Sequence, residues 1–266
     1  MAEHAKESWA KGEFYEPYVG RWSRLVSRDF LAWLNTPTGL DWLDVGCGTG
    51  ALTEAVGELC APRRLTGVDP SEGFLDFARQ RLNSVGAELQ QADAQNLPFA
   101  DSEFDRVVSG LVLNFVPDQP RAAAEMARVA RPGGEIALYV WDYSGKMELM
   151  RYFWDAAAAL DARARVLDEA QRFPICRPEP LRELFEAVGL AEVETRAIDV
   201  PTVFRDFDDY WTPFLGGQAP APNYCMSLSE DARAALRERL GASLPTGSDG
   251  SIHLIARAWA VRGRKR

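Results

Sequence analysis

The stretch LDVGCGTGAL, residues 43–52, ends a short apolar run and carries three glycines at alternate positions. These glycines, Gly46, Gly48 and Gly50, follow closely after an acidic residue, Asp44. Glycine allows a sharp turn and a close approach of backbone to ligand, and loops of this kind bind ligands at the strand ends of doubly wound sheets. The stretch therefore predicts either a tight strand-to-helix turn or a ligand-binding loop.

The spacing and the charge of the loop separate the candidate ligands. No GK[ST] follows, so the loop is not a P-loop, and Gly-x-Gly-x-Gly is not the dinucleotide pattern GxGxxG. No Lys or Arg occurs between Leu40 and Pro62. A pyrophosphate would meet only backbone N–H groups and a repelling carboxylate, whereas an ammonium and a sulfonium would be attracted. The chemistry favours S-adenosylmethionine over NAD.

The composition is that of an ordinary globular protein: 266 residues, 47% hydrophobic and 26% charged. Its net charge of −9 would repel a phosphate backbone, so nucleic acid is not an expected partner. The sequence has no CxxC pair and only two histidines, which predicts neither metal nor disulfides and favours a cytoplasmic location. No signal peptide is evident, and the uncharged apolar run at 107–117 is too short for membrane insertion.

Apolar runs alternate with helical patterns over the first half of the chain. Strands are predicted at 41–46, 64–68, 87–92, 104–109 and 134–141. Helices are predicted at 17–34, 51–59, 71–84 and 119–130. This alternation predicts a parallel sheet with crossover helices on both faces.

The pattern changes after residue 141. Residues 147–168 predict an Ala-rich helix, and 178–188 predict another that ends at Gly189. Residues 191–199 and 251–261 alternate like the two strands of an antiparallel edge pair. Between these strands lies an insertion of about 50 residues, rich in aromatic residues, Pro and Gly, and segments this long in compact domains are usually functional.

Five motifs occur in order: LDVGCGTG at 43–50, GVDPS at 67–71, QADAQNLPF at 91–99, FDRVVSGLVLNFV at 104–116 and ARVARPGGEIAL at 127–138. They resemble the ordered motifs of class I S-adenosylmethionine-dependent methyltransferases, most closely the small-molecule branch that includes ubiquinone and menaquinone biosynthesis enzymes. The resemblance covers residues 40–140 well and the remainder loosely. It implies an α/β fold with a Rossmann-like, doubly wound, seven-stranded sheet, mostly parallel with an antiparallel edge strand, plus a helical cap.

We expect a single domain over residues 1–266, divided by role along the chain. Its expected parts are an N-terminal helical lid at 1–38, a cofactor-binding core at 39–140, cap or substrate insertions at 141–190 and 200–250, and final strands at 191–199 and 251–261.

The residue chemistry supports S-adenosylmethionine as the cofactor. Asp69 ends the second strand about 20 residues beyond the glycines, where a carboxylate can accept from both ribose hydroxyls, while Ser71 would cap the next helix. By resemblance, Asp93 accepts from the adenine amino group and Ala94 offers its backbone N–H, although Asp93 also fits a plain turn. The complete predicted cofactor set is Tyr18, Arg21, Trp22, Asp44, Gly46, Cys47, Gly48, Gly50, Asp69, Pro70, Asp93, Ala94, Ser109 and Leu111.

Two parts of this assignment have alternatives. Arg21 would pair with the methionyl carboxylate or remain a solvated surface residue. The aromatic residues of the insertions favour an apolar or aromatic acceptor, although aromatic residues at helical spacing also form ordinary core. The predicted substrate-binding residues are Asn114, Phe115, Trp141, Tyr210, Trp211 and Phe214.

Methyl transfer from a sulfonium needs alignment of the reacting atoms and exclusion of water, and the sequence offers no obvious general base. His253 fits a strand, and Asp142 and Tyr143 follow the fifth strand. The Asn/Asp-Pro-Pro-Tyr signature of amino-methylating enzymes is absent, and SGLV stands in its place. We expect a monomeric or homodimeric methyltransferase acting on a small molecule, or alternatively a non-catalytic S-adenosylmethionine-binding regulatory protein.

Overall fold

The structure is a computed structural model that describes residues 19–216 and 219–266. Seven strands form one sheet in the order β3-β2-β1-β4-β5-β7-β6. Their bounds are β1 Asp41–Val45, β2 Arg64–Asp69, β3 Glu88–Gln91, β4 Phe104–Gly110, β5 Ala130–Trp141, β6 Ala191–Phe204 and β7 Ile252–Arg264.

The sheet is parallel across its first five strands. Strand β1 lies between β2 and β4, β3 pairs with β2, and β5 pairs with β4. Strand β7 runs antiparallel to β5, with Glu135 opposite Arg264. The predicted doubly wound, seven-stranded sheet is confirmed, and its antiparallel strand is the second from the edge. The carboxyl ends of β1 to β4 therefore share one edge of the sheet, where ligands of such folds bind.

Crossover helices connect the strands as the apolar spacing predicts. The helices are α1 Arg21–Leu34, α2 Ala51–Cys60, α3 Glu72–Arg81, α4 Gln119–Val129, α5 Glu148–Leu160, α6 Glu169–Arg172, α7 Pro178–Ala187, α8 Phe207–Trp211, α9 Pro220–Ser227 and α10 Glu230–Ser243. Residues 17 and 18 of the predicted helix 17–34 lie outside the described residues. None of the helices in the described chain is long and apolar enough to cross a membrane.

Two segments differ from the sequence pattern. The predicted continuous helix over 147–168 is wrong: α5 ends at Leu160, and Ala162–Leu167 forms a 3₁₀ helix. The side chain of Asp161 accepts a hydrogen bond from the backbone N–H of Arg163 at 3.0 Å and so begins this tighter turn. The insertion rich in aromatic residues contains three helices, α8 to α10, and both final strands extend further than predicted.

The chain divides into two compact units. The sheet unit comprises Ser23–Trp141, Ile175–Asp199 and Ala258–Arg266, and the helical unit comprises Asp142–Pro174, Val200–Arg257 and the described residues up to Trp22. All five residues of β1 are buried, as expected for a central strand of a parallel sheet covered on both faces.

Aromatic side chains form much of the core of the helical unit. The rings of Phe153 and Phe214 stack with centroids 4.4 Å apart, and Tyr210 lies 5.4 Å from Phe214. Tyr210 donates its hydroxyl hydrogen to the carbonyl oxygen of Leu149 at 2.9 Å. The polar atom of this buried side chain is thereby satisfied inside the unit.

Candidate functional site

The glycine loop after β1 is held against β2 by its backbone. Gly46 and Cys47 both donate their N–H groups to the carbonyl oxygen of Val68, at 2.7 and 2.9 Å. A Cβ added at Gly46 would lie 2.5 Å from the Val112 side chain, so Gly46 is required for packing. Gly50 is restricted less severely, since an added Cβ would lie 2.8 Å from the end of the flexible Leu82 side chain.

Gly48 at the centre of the loop has a different environment. Its φ is +53°, in the left-handed region, and an added Cβ would meet no described atom within 4 Å. The first and third glycines therefore serve packing, whereas the second faces open space. An open space above left-handed glycine backbone at the strand ends is the arrangement that the predicted binding loop requires.

Asp44 is fully buried at the carboxyl end of β1, with 0% of its surface exposed. Thr53 on α2 donates its hydroxyl hydrogen to Asp44 Oδ2 at 2.6 Å. The other oxygen, Oδ1, has no hydrogen-bond partner among residues 19–216 and 219–266. Burial, aided by the nearby Asp69 carboxylate, raises the pKa of Asp44 to about 7.

A second aspartate of the same strand shows how unusual this environment is. Asp41, at the amino end of β1, accepts hydrogen bonds from Arg63 and Arg131 at 2.7 and 3.0 Å. The pairing with Arg63 lowers the pKa of Asp41 to about 2 despite its burial. Asp44 has no such cationic partner in the described chain. The Asp41 carboxylate at one end of β1 is thus neutralised by the protein, whereas the Asp44 carboxylate at the other end keeps one oxygen without a partner in the described chain.

Asp69 lies at the end of β2 and organises the loop from the adjacent strand. One carboxylate oxygen accepts from the Gly48 N–H at 3.0 Å, and the other accepts from the Ser71 N–H at 2.8 Å. Burial raises the pKa of Asp69. The Ser71 hydroxyl accepts from the Phe74 N–H at 3.4 Å and caps α3, as predicted. Pro70, between them, is exposed.

The predicted adenine contacts follow β3. Asp93 is exposed, and its Oδ1 accepts from the backbone N–H of Gln95 at 2.8 Å. The Gln95 amide also donates to both carboxylate oxygens, at 3.1 and 3.0 Å. Ala94 is partly exposed beside it. Asp93 therefore forms the turn that a plain structural role would require, while its exposed carboxylate remains open to further donors.

The turn after β4 carries the remaining contacts predicted in the sheet unit. Ser109 is buried and donates its hydroxyl hydrogen to the Val45 carbonyl oxygen at 2.7 Å, which links β4 to β1. Leu111 has a φ of +63°, and its N–H donates to the Tyr139 carbonyl oxygen at 2.8 Å. These two hydrogen bonds tie the turn after β4 to its neighbouring strands, β1 and β5.

Asn114 and Phe115, in a 3₁₀ turn just beyond, differ in exposure. Asn114 is 5% exposed, and its Nδ2 has no hydrogen-bond partner in the part of the chain that the structure describes. Phe115 is 37% exposed, which is high for a phenylalanine. The buried unsatisfied donor of Asn114 and the exposed ring of Phe115 make this turn a candidate for a ligand contact.

Four of the other predicted residues lie in the helical unit or at the end of β5 and are buried in protein contacts. Trp141 ends β5 and is buried. Tyr210, Trp211 and Phe214 belong to the aromatic core of the helical unit.

Arg21 and Trp22 also lie in the helical unit. Arg21 donates from Nη1 to Asp209 Oδ1 at 3.1 Å, while Trp22 is buried against Phe204. Tyr18 lies outside the described residues.

The sequence did not single out two polar contacts of the structure. Thr53 holds one oxygen of Asp44 from the first turn of α2, a position that only the strand-to-helix geometry reveals. Glu169 is fully buried in the helical unit, where it accepts a hydrogen bond from Trp154 Nε1. Burial raises the pKa of Glu169 to about 7.

None of the three residues considered as a general base stands out. Asp142 is buried and accepts from the backbone N–H of Lys146 at 3.0 Å, so it holds a turn. The ring of Tyr143 is buried, with its centroid 5.8 Å from that of Phe173. His253 is exposed and contacts the Ser251 hydroxyl at 3.1 Å.

Comparisons with known proteins indicate the family of the chain. Residues 43–138 match a family model described as a methyltransferase domain. The demethylmenaquinone methyltransferase of Symbiobacterium thermophilum is 31% identical over 207 residues, which cover 70% of this chain and 81% of that protein. The enzyme of the same name from Bacillus licheniformis is 42% identical over 108 residues, and the match spans 39% of this chain and less than half, 45%, of that relative's length.

The fold comparison is consistent with these relatives. A crystal structure from Bacillus halodurans, described as a methyltransferase, superposes with a TM-score of 0.60 at 16% identity, covering 90% of this chain and 98% of that one. At this identity the likeness shows the fold alone. The Symbiobacterium relative establishes the family, and the methyltransferase-domain match agrees with it: the chain belongs to the class I S-adenosylmethionine-dependent methyltransferases.

Proposed function

We propose that this protein binds S-adenosylmethionine and transfers its methyl group to a small, apolar or aromatic molecule. The observation that carries the proposal is the buried Asp44 carboxylate, whose Oδ1 lacks a partner in the described chain. It lies beside a glycine loop in a segment, residues 40–62, without Lys or Arg. An anion in this setting attracts an ammonium or sulfonium and repels a pyrophosphate.

The residues at the strand ends fit this cofactor chemically. Asp44 would accept from the ammonium, and Asp69 would accept from the ribose hydroxyls in addition to its two backbone donors, because a carboxylate has about four acceptor positions. Asp93 and Ala94 would contact the adenine. The proposed cofactor residues of the sheet unit are Asp44, Gly46, Cys47, Gly48, Gly50, Asp69, Pro70, Asp93, Ala94, Ser109 and Leu111.

The chain's own contribution to transfer is positioning. When bound, the cofactor supplies a methyl group that its positive sulfur has already activated. The protein has to align the acceptor with that methyl and to exclude water. We assign Asn114 and Phe115 to the acceptor, because they combine a free donor with an exposed ring on the turn that follows the cofactor residues of β4.

The names of the two relatives support a quinone-type acceptor, since both act on demethylmenaquinone by name. The net charge of −9 supports a small molecule rather than a nucleic acid as the acceptor. The proposal includes a cytoplasmic enzyme that is a monomer or a homodimer.

A methyl-transfer assay tests the proposal. Wild-type protein is incubated with S-adenosylmethionine carrying a labelled methyl group and, in parallel, with demethylmenaquinone, a catechol, and total RNA and DNA. We expect label in demethylmenaquinone or the catechol, little effect of moderate salt, and no label with Gly48→Val. Cofactor binding without transfer to any acceptor would favour the non-catalytic alternative, and label in nucleic acid with a steep salt dependence would contradict a small-molecule acceptor.

A further inference from the structure

The side chain of Gln95 connects two elements of the sheet unit. Its amide nitrogen, Nε2, donates to both carboxylate oxygens of Asp93, at 3.1 Å to Oδ1 and 3.0 Å to Oδ2. Its amide oxygen, Oε1, accepts from the backbone N–H of Asp118 at 3.1 Å, and Asp118 is the N-cap of α4. One amide group therefore links the loop after β3 to the first turn of α4.

The two neighbours of this amide determine its orientation. A backbone N–H only donates, so the end of the Gln95 amide that faces Asp118 has to be the oxygen. A carboxylate only accepts, so the end that faces Asp93 has to be the nitrogen. Both neighbours require the same orientation, and the Gln95 amide consequently presents a donor to Asp93.

Helix α4 also holds the backbone of the loop that carries Gln95. Arg121 donates from Nε to the Gln95 carbonyl oxygen at 2.7 Å. Glu125 accepts from the Leu97 N–H at 2.8 Å, and Arg128 donates from Nη2 to the Leu97 carbonyl oxygen at 3.0 Å. Residues at this spacing lie on one face of a helix. The position of Gln95 is thus set by α4 through both its backbone and its side chain.

These contacts occupy most of the acceptor capacity of Asp93. A carboxylate has about four acceptor positions, shared equally by its two oxygens. Oδ1 accepts from the backbone N–H of Gln95 at 2.8 Å as well as from the Gln95 amide. Among the bonds within the described residues, Oδ2 accepts from that amide alone. One acceptor position therefore remains, on Oδ2, and Asp93 is exposed.

We propose that Gln95 is a positioning residue that presents Oδ2 of Asp93 to a single N–H donor and makes the site selective for a 6-amino purine over a 6-oxo purine. The inference rests on the proposed function, in which Asp93 contacts the adenine. The amino group at C6 of adenine donates, whereas the oxygen at C6 of hypoxanthine only accepts and would be repelled by Oδ2. A site arranged to hydrogen-bond one group discriminates against an analogue that lacks it.

The opposite role for Gln95 would be that of a competitor. In that role its amide would have to leave Asp93 before the base could bind, and its removal would strengthen binding. Removal of a positioning residue weakens binding instead, so the sign of the effect separates the two roles. The remaining position on Oδ2 favours the positioning role, because a donor can reach Asp93 without displacing Gln95.

Three variants test the role of Gln95. Gln95→Met keeps the length of the side chain and removes both polar ends of the amide. Gln90→Met is the matched control, because Gln90 is an exposed glutamine on β3. Asp93→Ala removes the carboxylate through which Gln95 is proposed to act. Thermal unfolding of each variant shows whether it is folded.

The two ligand probes, S-adenosylhomocysteine and S-inosylhomocysteine, differ only in the base. Gln95→Met should weaken S-adenosylhomocysteine binding about 3- to 10-fold, the value of one net hydrogen bond. S-Inosylhomocysteine binding, measured by competition, should not change, so the preference for the amino base falls by the same factor. Gln90→Met should bind both ligands as the wild type does. In Asp93→Ala protein, adding Gln95→Met should have no further effect.

Three results would overturn the proposal. Equal weakening of both ligands in Gln95→Met would show a merely structural role, and unchanged or tighter S-adenosylhomocysteine binding would exclude positioning. A loss that persists undiminished in the Asp93→Ala background would show that Gln95 does not act through Asp93.

The same titrations separate this inference from the proposed function. Wild-type protein that binds neither nucleoside would contradict the proposed function and this inference with it, whereas normal wild-type binding with no effect of Gln95→Met contradicts the inference alone. If Gln95→Met fails to fold, Gln95→Glu replaces it. This variant keeps an oxygen for the Asp118 N–H and removes the donor to Asp93, so the same loss of base preference is expected.

Discussion

The strand ends of the sheet unit and the aromatic core of the helical unit differ in what they leave for a ligand. At the strand ends, Asp44 is fully buried yet keeps one carboxylate oxygen unpaired in the described chain, and Gly48 faces open space. In the aromatic core, Phe214 is stacked on Phe153, and the Tyr210 hydroxyl is already bound to the Leu149 carbonyl. Residue type alone therefore does not separate these two regions, whereas unsatisfied polar atoms and open space do.

Gly48→Val should have the largest effect on ligand binding. A valine at φ +53° is strained by roughly 1–2 kcal/mol, and its side chain would project into the open space that we assign to the cofactor. We expect loss of measurable S-adenosylhomocysteine binding by calorimetry.

Gly86→Val is the matched control for this substitution. Gly86 also has a positive φ, +69°, and open space at its Cβ position, but it lies in the turn before β3. It should lose comparable stability and retain binding. Equal loss of binding in both variants would mean that strain, not occupancy of the site, explains the result.

Phe214→Ala should have the largest effect on stability. Because Phe214 is 0% exposed and stacks on Phe153, its removal should lower the free energy of unfolding by about 3–5 kcal/mol, measured by urea denaturation. Phe115→Ala, at a residue 37% exposed, should cost much less stability and impair methyl transfer instead. A similar loss of stability in the Phe214→Ala and Phe115→Ala variants would contradict the assignment of Phe214 to the core and of Phe115 to the site.

Asp69→Ala should weaken S-adenosylhomocysteine binding by about 2–4 kcal/mol, the sum of two charge-assisted hydrogen bonds. Part of this effect would come through the loop, since Asp69 also holds the Gly48 N–H. Asp76→Ala, an exposed carboxylate on α3, controls for the loss of charge. Unchanged affinity in folded Asp69→Ala protein would remove this residue from the site.

Asp44 should make ligand binding depend on pH, with a smaller effect. Its pKa is about 7 in the free protein, so a cationic ligand must displace the proton below that pH. We expect S-adenosylhomocysteine affinity to rise about tenfold between pH 6 and pH 8 in the wild type, and not in Asp44→Asn. The same dependence in both proteins would assign the proton to another group.

The raised pKa of Asp44 also has a consequence for stability. Between the unfolded-state pKa of 3.8 and about 7, the folded protein holds a proton that the unfolded chain has released. The stabilising contribution of this proton is complete below pH 3.8 and is lost as the pH rises through about 7. Asp44→Asn should remove that part of the pH dependence in urea denaturation.

The sheet and its strand ends were predictable because local sequence determines them. Apolar runs and crossover helices specify the parallel order, and the glycine spacing marks the loop after β1. The contact between Thr53 and Asp44 was not predictable, since it depends on how the first turn of α2 faces the end of β1. The pairing of Arg21 with Asp209 joins residues 188 positions apart, and no local pattern encodes it.

The helical unit was less predictable, although some local signals were present. Asp206 and Ser229 cap α8 and α10 by accepting backbone N–H groups, and Pro220 begins α9. The many aromatic residues of this unit did not help the prediction, because an aromatic composition is compatible with a ligand site and with a core. Only burial distinguishes Phe214 from Phe115.

Calorimetric titration of the wild-type protein with S-adenosylmethionine and with NAD tests the central claim most directly. The claim is that the strand-end site, with its buried Asp44 and open Gly48, takes a cationic nucleoside cofactor. We predict saturable binding of S-adenosylmethionine at one site and no heat of binding with NAD. Binding of NAD without binding of S-adenosylmethionine would contradict the account.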